Sequence, residues 1–183
     1  MIVFGIDPGL RKTGWGIINT RRNKMKHVDN GFIDNSGIIN DGDRLLNIYS
    51  ELKLLLNHYK PFLVGIEKTF VGPGNLSSLK LGMARGTCIL AVARNKITIC
   101  ELAPKIVKKS ITGSGLANKY QVSRMVQKLL QVVPKNEDSS DALAIAIAAN
   151  NSSSWDHNLT HKTNDNNLSK AIKLALEKEK FER

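Results

Sequence analysis

Acidic side chains are scarce in this 183-residue chain, where 16 Asp and Glu stand against 27 Lys and Arg for a net charge of +11. The imbalance makes a polyanion the expected partner. It sits in the body of the chain. Residues 152–183 hold six basic and five acidic residues, which leaves 21 against 11 in residues 1–151. Cysteine is almost missing too. Cys88 and Cys100 lie twelve positions apart in apolar surroundings, which fits neither a disulfide framework nor a zinc site. They are expected as buried free thiols of a reduced compartment. No apolar run approaches membrane length, and no basic segment with an apolar core opens the chain. A cytoplasmic protein with no membrane span is therefore expected. Internal repeats are absent. Thr112-Gly113-Ser114-Gly115 lacks the Gly-Lys-Ser/Thr that would complete a P-loop.

What is present is 42% hydrophobic, enough for one domain with a real core plus an appendage. Ile2 to Ile6 is a short run rich in β-branched residues and reads as a buried central strand. Asp7 ends it and Pro8-Gly9 turns the chain. Thr13 to Asn19 returns as a hairpin partner, and His27 to Asp34 gives a third strand with a break at Gly31. Leu45, Leu46, Ile48, Tyr49, Leu52, Leu55 and Leu56 have helical spacing, with Asp41 or Asp43 as N-cap and Pro61 as stop. Phe62 to Ile66 is another apolar strand, again ended by an acid, Glu67.

Residues 76–95 read as a long helix with a small-residue stripe at Gly82, Ala84 and Gly86. Glycine weakens a helix interior, so the stripe suggests close approach of another helix, a dimer mate or a nucleic-acid strand. Ile97 to Cys100 is a fifth strand, Pro104 opens a short helix to 111, and residues 119–131 form an amphipathic helix. A last helix, Asp138 to Asn150, is rich in Ala and Ile. Three strands followed by alternating helix and strand predict an α/β fold. Its mixed five-stranded sheet has antiparallel first strands and helices on both faces. The domain runs over 1–150. Residues 151–183 form a polar linker and tail, with a helix over 168–180 that is marginal alone.

The few acids fall at the ends of elements. Asp7 and Glu67 each close a strand, and Asp138 and Asp141 share one face where the last helix opens. Singly, each has an ordinary explanation: a turn, a surface acid, an N-cap, a solvated residue. Together, four carboxylates meeting in a basic body would repel one another and take up protons unless cations were bound. Mg²⁺ takes such oxygen ligands and keeps waters for phosphate. Two ions about 4 Å apart stabilise both the attacking and the leaving oxygen of an in-line displacement. An acidic hole in a basic surface is the arrangement of a metal-dependent nuclease.

Gly5-Ile6-Asp7-Pro8-Gly9 with Thr13-Gly14-Trp15-Gly16 resembles the first motif of the RuvC-type crossover junction endodeoxyribonucleases. Ile66 to Phe70 resembles the second, Lys80 to Gly86 the long-helix signature, and Asp138 to Ala146 the last, in order over roughly residues 1–150. The resemblance implies an RNase H-like fold and a homodimer that cleaves Holliday junctions by paired symmetric nicks in DNA recombination and repair. It implies two Mg²⁺ per subunit, with Mn²⁺ as a substitute, and 5′-phosphate products. It implies the branch-migration proteins RuvA and RuvB as partners. It sets the catalytic, metal-holding acids on Asp7, Glu67, Asp138 and Asp141. Some relatives carry His where Asp138 stands.

Phe70, in a Gly/Pro loop, matches a family aromatic that stacks on a base near the crossover, and Lys108 and Lys119 match basic residues near the scissile strand. Lys105 and Lys109 also flank the Gly113/Gly115 loop and suit phosphate. Arg85, in the long-helix signature, joins these expected DNA contacts. The rival readings are a junction-binding protein that does not cut, a less selective RNase H-type nuclease, and an ATPase or sugar kinase sharing the first-strand acid. The last needs a second lobe for which 183 residues leave little room.

Overall fold

The computed structural model describes residues 1–22, 24–68 and 76–152, and Met1–Ser152 form one compact unit. Phe70 and the linker, tail and helix expected beyond residue 152 lie outside the described residues. The elements run β1 (Ile2–Asp7), β2 (Lys12–Arg21), β3 (Lys24–Asp34), α1 (Asp41–Tyr59), β4 (Leu63–Glu67), α2 (Leu76–Arg94), β5 (Thr98–Leu102), α3 (Pro104–Thr112), α4 (Lys119–Leu130) and α5 (Glu137–Asn151). One sheet has the order β3-β2-β1-β4-β5. β1, β2 and β3 are antiparallel neighbours, while β4 is parallel to both β1 and β5.

Alternation along β1 divides the two faces, because successive side chains of a strand point to opposite sides. Phe4 and Ile6 join Ile17, Val64 and Ile66 under α1 and α2, which contribute Ile48, Leu52, Leu56, Ala84, Cys88, Ala91 and Val92. On the other face α5 crosses β1, β2 and β4, with α3 and α4 packed against it. α5 has ten consecutive or near-consecutive buried residues, from Ser139 through Ala149.

On that second face the sheet carries Val3, Ile18 and Leu63, all buried, and then narrows to bare backbone. Gly5 pairs with Gly16 on one side and with Gly65 on the other, a row of three glycines across three neighbouring strands. A Cβ at Gly5 would strike the Ala142 carbonyl; at Gly16, the Leu143 side chain; at Gly65, Ala149. The Ala-rich helix therefore lies almost on the sheet backbone.

Helix caps differ from the expected ones. Asn40, not Asp41 or Asp43, caps α1, its side chain accepting the Asp43 N–H at 2.8 Å. A neutral amide one residue earlier does the work, which leaves both acids in the first turn facing the helix dipole's positive end. Cys88 is buried but Cys100 is only partly so; neither is in a disulfide. α2 departs from the reading that no run approaches membrane length. An 18-residue stretch of this 19-residue helix has a mean hydropathy of 1.2, enough by length and composition alone to cross a membrane, and 22% of it is buried. Its leucines, Ile89 and Val92 lift the average, and Ala84, Cys88, Ala91 and Val92 attach it to the core.

Candidate active site

Asp7 and Glu67 follow Ile6 and Ile66, which are paired partners on adjacent parallel strands. The two acids therefore stand side by side at one sheet end. By the same alternation they share the face of Gly5 and Gly65, the face that α5 covers. The turn after Asp7 is fixed. The Thr13 hydroxyl, fully buried, donates to the Gly9 carbonyl at 2.7 Å, and the Asn35 amide donates to the Leu10 carbonyl at 2.9 Å.

The third element arrives through another glycine. Gly14 pairs with Asp7 across β1 and β2, and a Cβ there would strike the Asp138 carbonyl. The missing side chain lets the first turn of α5 settle beside Asp7. Asn136 starts that turn with a reciprocal cap: its side chain accepts the Ser139 N–H at 2.8 Å, while Ser139 Oγ accepts the Asn136 N–H at 3.0 Å. Asn136 Nδ2 also donates to Asp138 Oδ2 at 3.0 Å. The Asn-x-x-Ser spacing is a start signal readable in the sequence, and it places the cap at Asn136 rather than at Asp138.

Electrostatics confirm the proximity of the four acids. Asp7 is pushed up to about 7 by burial, then by the negative charges of Asp141, Glu67 and Asp138, with Lys119 opposing. Glu67 is raised by burial and by Asp141, against Lys119 and Lys108. Lys119 Nζ donates to Asp141 Oδ2 at 3.1 Å, and this bond, with the charge of Asp141, raises the lysine. A cleft of about 250 Å³ is lined by Asp7, Glu67, Asp141, Lys108 and Lys119, floored by Val107 and Ile145.

Of the expected DNA contacts, Lys108 and Lys119 thus reach the cleft. Lys105 and Lys109 are exposed on α3 and do not line it. Arg85 is turned inward: its guanidinium pairs with Glu101, and Nε donates to the Glu67 carbonyl at 3.3 Å. It steadies the end of β4 rather than offering a free charge to solvent. Among the described residues the glycines of the α2 stripe have no close neighbour, since a Cβ at Gly82 or Gly86 would meet nothing within 4 Å.

Carboxylates that raise one another's proton affinity form a hard oxygen donor set with uncompensated charge, and such a set suits a divalent cation. Asp7, Glu67 and Asp141 share the cleft, with Asp138 near enough to act on Asp7. As the side chains stand, no three acids, His or Cys among the described residues converge on a single ion position. Lys119 bonds to Oδ2 of Asp141 and Asn136 to Oδ2 of Asp138, so each bond takes one of the carboxylate's two oxygens, and a hydrogen-bonded carboxylate can still be a ligand.

A mixed sheet ordered 3-2-1-4-5 with an acid at the end of its central strand and acids on a crossing helix defines an RNase H-like protein of the junction-resolvase class. The family model of crossover junction endodeoxyribonuclease RuvC matches residues 3–149, and the chain belongs to that family. The RuvC of Ruegeria pomeroyi is 43% identical over 149 residues, covering 80% of this chain and 89% of that protein. The RuvC of Legionella pneumophila is 43% identical over 148 residues, covering 80% and 84%. Thermus thermophilus RuvC, solved in complex with a Holliday junction substrate, superposes with a TM-score of 0.75 at 28% identity, covering 81% of this chain and 92% of that one. The yeast mitochondrial Holliday junction resolvase Ydc2 shares the fold at 14% identity, with a TM-score of 0.56.

Proposed function

We propose that this chain is a metal-dependent endodeoxyribonuclease that resolves four-way DNA junctions by paired symmetric nicks in recombination and repair. The observation that carries the reading is the meeting of β1, β4 and α5 at one cleft, where Asp7, Glu67 and Asp141 face Lys108 and Lys119. Residues 1–150 act as the nuclease domain and 151–183 as a polar tail; the compactness of Met1–Ser152 supports that division.

Asp7, Glu67, Asp138 and Asp141 would hold the metal, two Mg²⁺ per subunit with Mn²⁺ as substitute. When bound, the ions supply positive charge that activates the attacking water and stabilises the leaving 3′-oxygen. The chain's own part is placement. Burial and neighbouring charge make Asp7 and Glu67 poor anions without a cation, so they take one up readily. Lys119, bonded to Asp141, and Lys108 would hold the phosphate that enters the cleft they line. The remaining basic side chains, Lys105 and Lys109 on α3 among them, hold the backbone further out. Phe70 stacks on a base near the crossover.

One chain supplies one cleft, and two cuts need two. A twofold homodimer on a near-twofold junction meets that need. The exposed Leu79, Met83 and Leu90 on α2, beside two glycines with open space, support this helix as the contact between copies. RuvA and RuvB are the expected partners in the cytoplasm. Incubating the protein with a synthetic four-way junction and with a linear duplex in Mg²⁺ tests the reading. Junction-selective nicks with 5′-phosphate ends are expected; equal cutting of the duplex, or binding without cutting, would overturn it.

A further inference from the structure

The first turn of α4 carries more than Lys119. Tyr120 is 72% exposed and Leu116, in the preceding loop, is 89% exposed. Single exposed apolar residues are normal on any protein, but these two share one hollow. About 630 Å³ in size, it is walled by Leu116, Tyr120, Arg124 and the Thr112–Ser114 loop. The opposite side of Tyr120 walls a second hollow of about 320 Å³, which runs between α4 and α5 to Lys119 and Asp141. Those two residues are also walls of the acidic cleft. Cleft, near hollow and far hollow are thus linked by shared walls: Lys119 and Asp141 between the first two, Tyr120 between the last two.

The charges of the two hollows differ. Lys119, Glu137 and Asp141 line the near one, where the lysine is bonded to Asp141. Arg124 stands exposed at the far hollow and enters no ion pair among the described residues. The far hollow thus offers a cation beside an aromatic ring, while the near one holds more acid than base. A nucleotide fits the far hollow: a neutral base against the ring, with the next phosphate on the guanidinium. A protein segment would leave Arg124 to find an acid of its own and would not explain why the hollows are linked to the cleft by shared walls.

We propose that Tyr120 is a stacking platform for a base of the cut strand within a few nucleotides of the scissile phosphate, with Leu116 closing its edge and Arg124 holding a following phosphate. The inference rests on the nuclease reading above. It adds a base-contacting subsite on α4 to the contact expected of Phe70. Because stacking accepts every base, the subsite favours an unstacked strand, as at a branch point, more than any one sequence.

The test uses the full chain in EDTA with four-way junctions that carry 2-aminopurine at successive positions on either side of the cut. Wild type should quench the probe at one or two adjacent positions. Tyr120→Phe should keep the quenching. Tyr120→Ala should abolish it and weaken junction binding about 5- to 100-fold, the range for losing one base stack on an aromatic ring. Arg124→Ala should lower the dependence of log binding on log salt by about 0.9. Quenching and affinity unchanged in Tyr120→Ala would overturn the proposal. So would a change confined to self-association, which would make the face a protein contact. These readouts need no cleavage, so a wild type that quenches but never cuts would defeat the nuclease reading and leave the subsite standing.

Discussion

The two faces of the sheet are built on opposite terms. Under α1 and α2 the sheet presents Phe4, Ile6, Ile17, Val64 and Ile66, and the layer is filled by volume. Under α5 it presents Val3, Ile18 and Leu63 at one end and then the row Gly5, Gly16 and Gly65, where the helix closes on the backbone. Both faces bury apolar side chains and hold the domain together. The second brings a helix N-terminus within reach of two strand ends, and that alone unites acids from three separate elements. The site therefore resides on one side of the sheet only, and substitutions on the two sides should fail in different ways.

The largest effect is expected at the site itself. Asp7→Asn should lower the rate of junction cleavage by about 10³- to 10⁶-fold, with junction binding kept, as read by single-turnover cleavage beside a gel-shift titration. Next comes the pairing that breaks the two faces apart. Leu52→Ala on the filled face should cost about 2–5 kcal/mol in urea unfolding, while the folded fraction cuts at the wild-type rate. Gly14→Ala on the close face should cost about 1–3 kcal/mol and also slow cleavage, because the first turn of α5 must move away from Asp7. Equal loss of cleavage per folded molecule in both variants would show that the faces do not divide the work.

A third outcome concerns pH. Asp7 carries a folded value of about 7 against an ordinary value of 3.8. The folded state thus holds a proton that the unfolded chain has lost, and stability falls as pH rises between those values. Asp7→Asn removes that penalty. In EDTA at pH 8 it should raise unfolding stability by about 1–4 kcal/mol, and the gain should vanish near pH 4. A gain that stays constant across this range in thermal melts would place its origin elsewhere. The smallest effect is expected at the cap: Asn136→Ala should cost about 0.5–2 kcal/mol and reduce cleavage modestly, through loss of its bond to Asp138.

Much of the frame was legible from local patterns. Strands ended by Asp7 and Glu67, helices opened by Pro104 or led by Ala and Ile, and a sequence order of three strands then alternation needed only periodicity and turn chemistry. Helix starts were less legible, because Asn40 and Asn136 were overlooked beside more conspicuous acids. Arg85 could be read as a free basic residue only while Glu101 was unseen, sixteen positions away and on another element. Glycine gave the clearest lesson. The sequence drew attention to Gly82 and Gly86 on α2, where no described residue approaches closely. The glycines that admit a neighbour lie in strands, one or two to each, and their alignment exists only once β1, β2 and β4 are in register.

By itself, then, the sequence determined which residues could do chemistry and which elements would carry them, since an acid at the rim of an apolar strand is a local fact. It also determined that those acids would stand in a basic body. That Asp7 and Glu67 sit side by side was decided by strand pairing, and that α5 delivers Asp138 and Asp141 to them was decided by a helix lying on bare backbone. Distances between elements far apart in the chain follow from register and from what is missing at Gly5, Gly14, Gly16 and Gly65, and neither is visible until the sheet has formed.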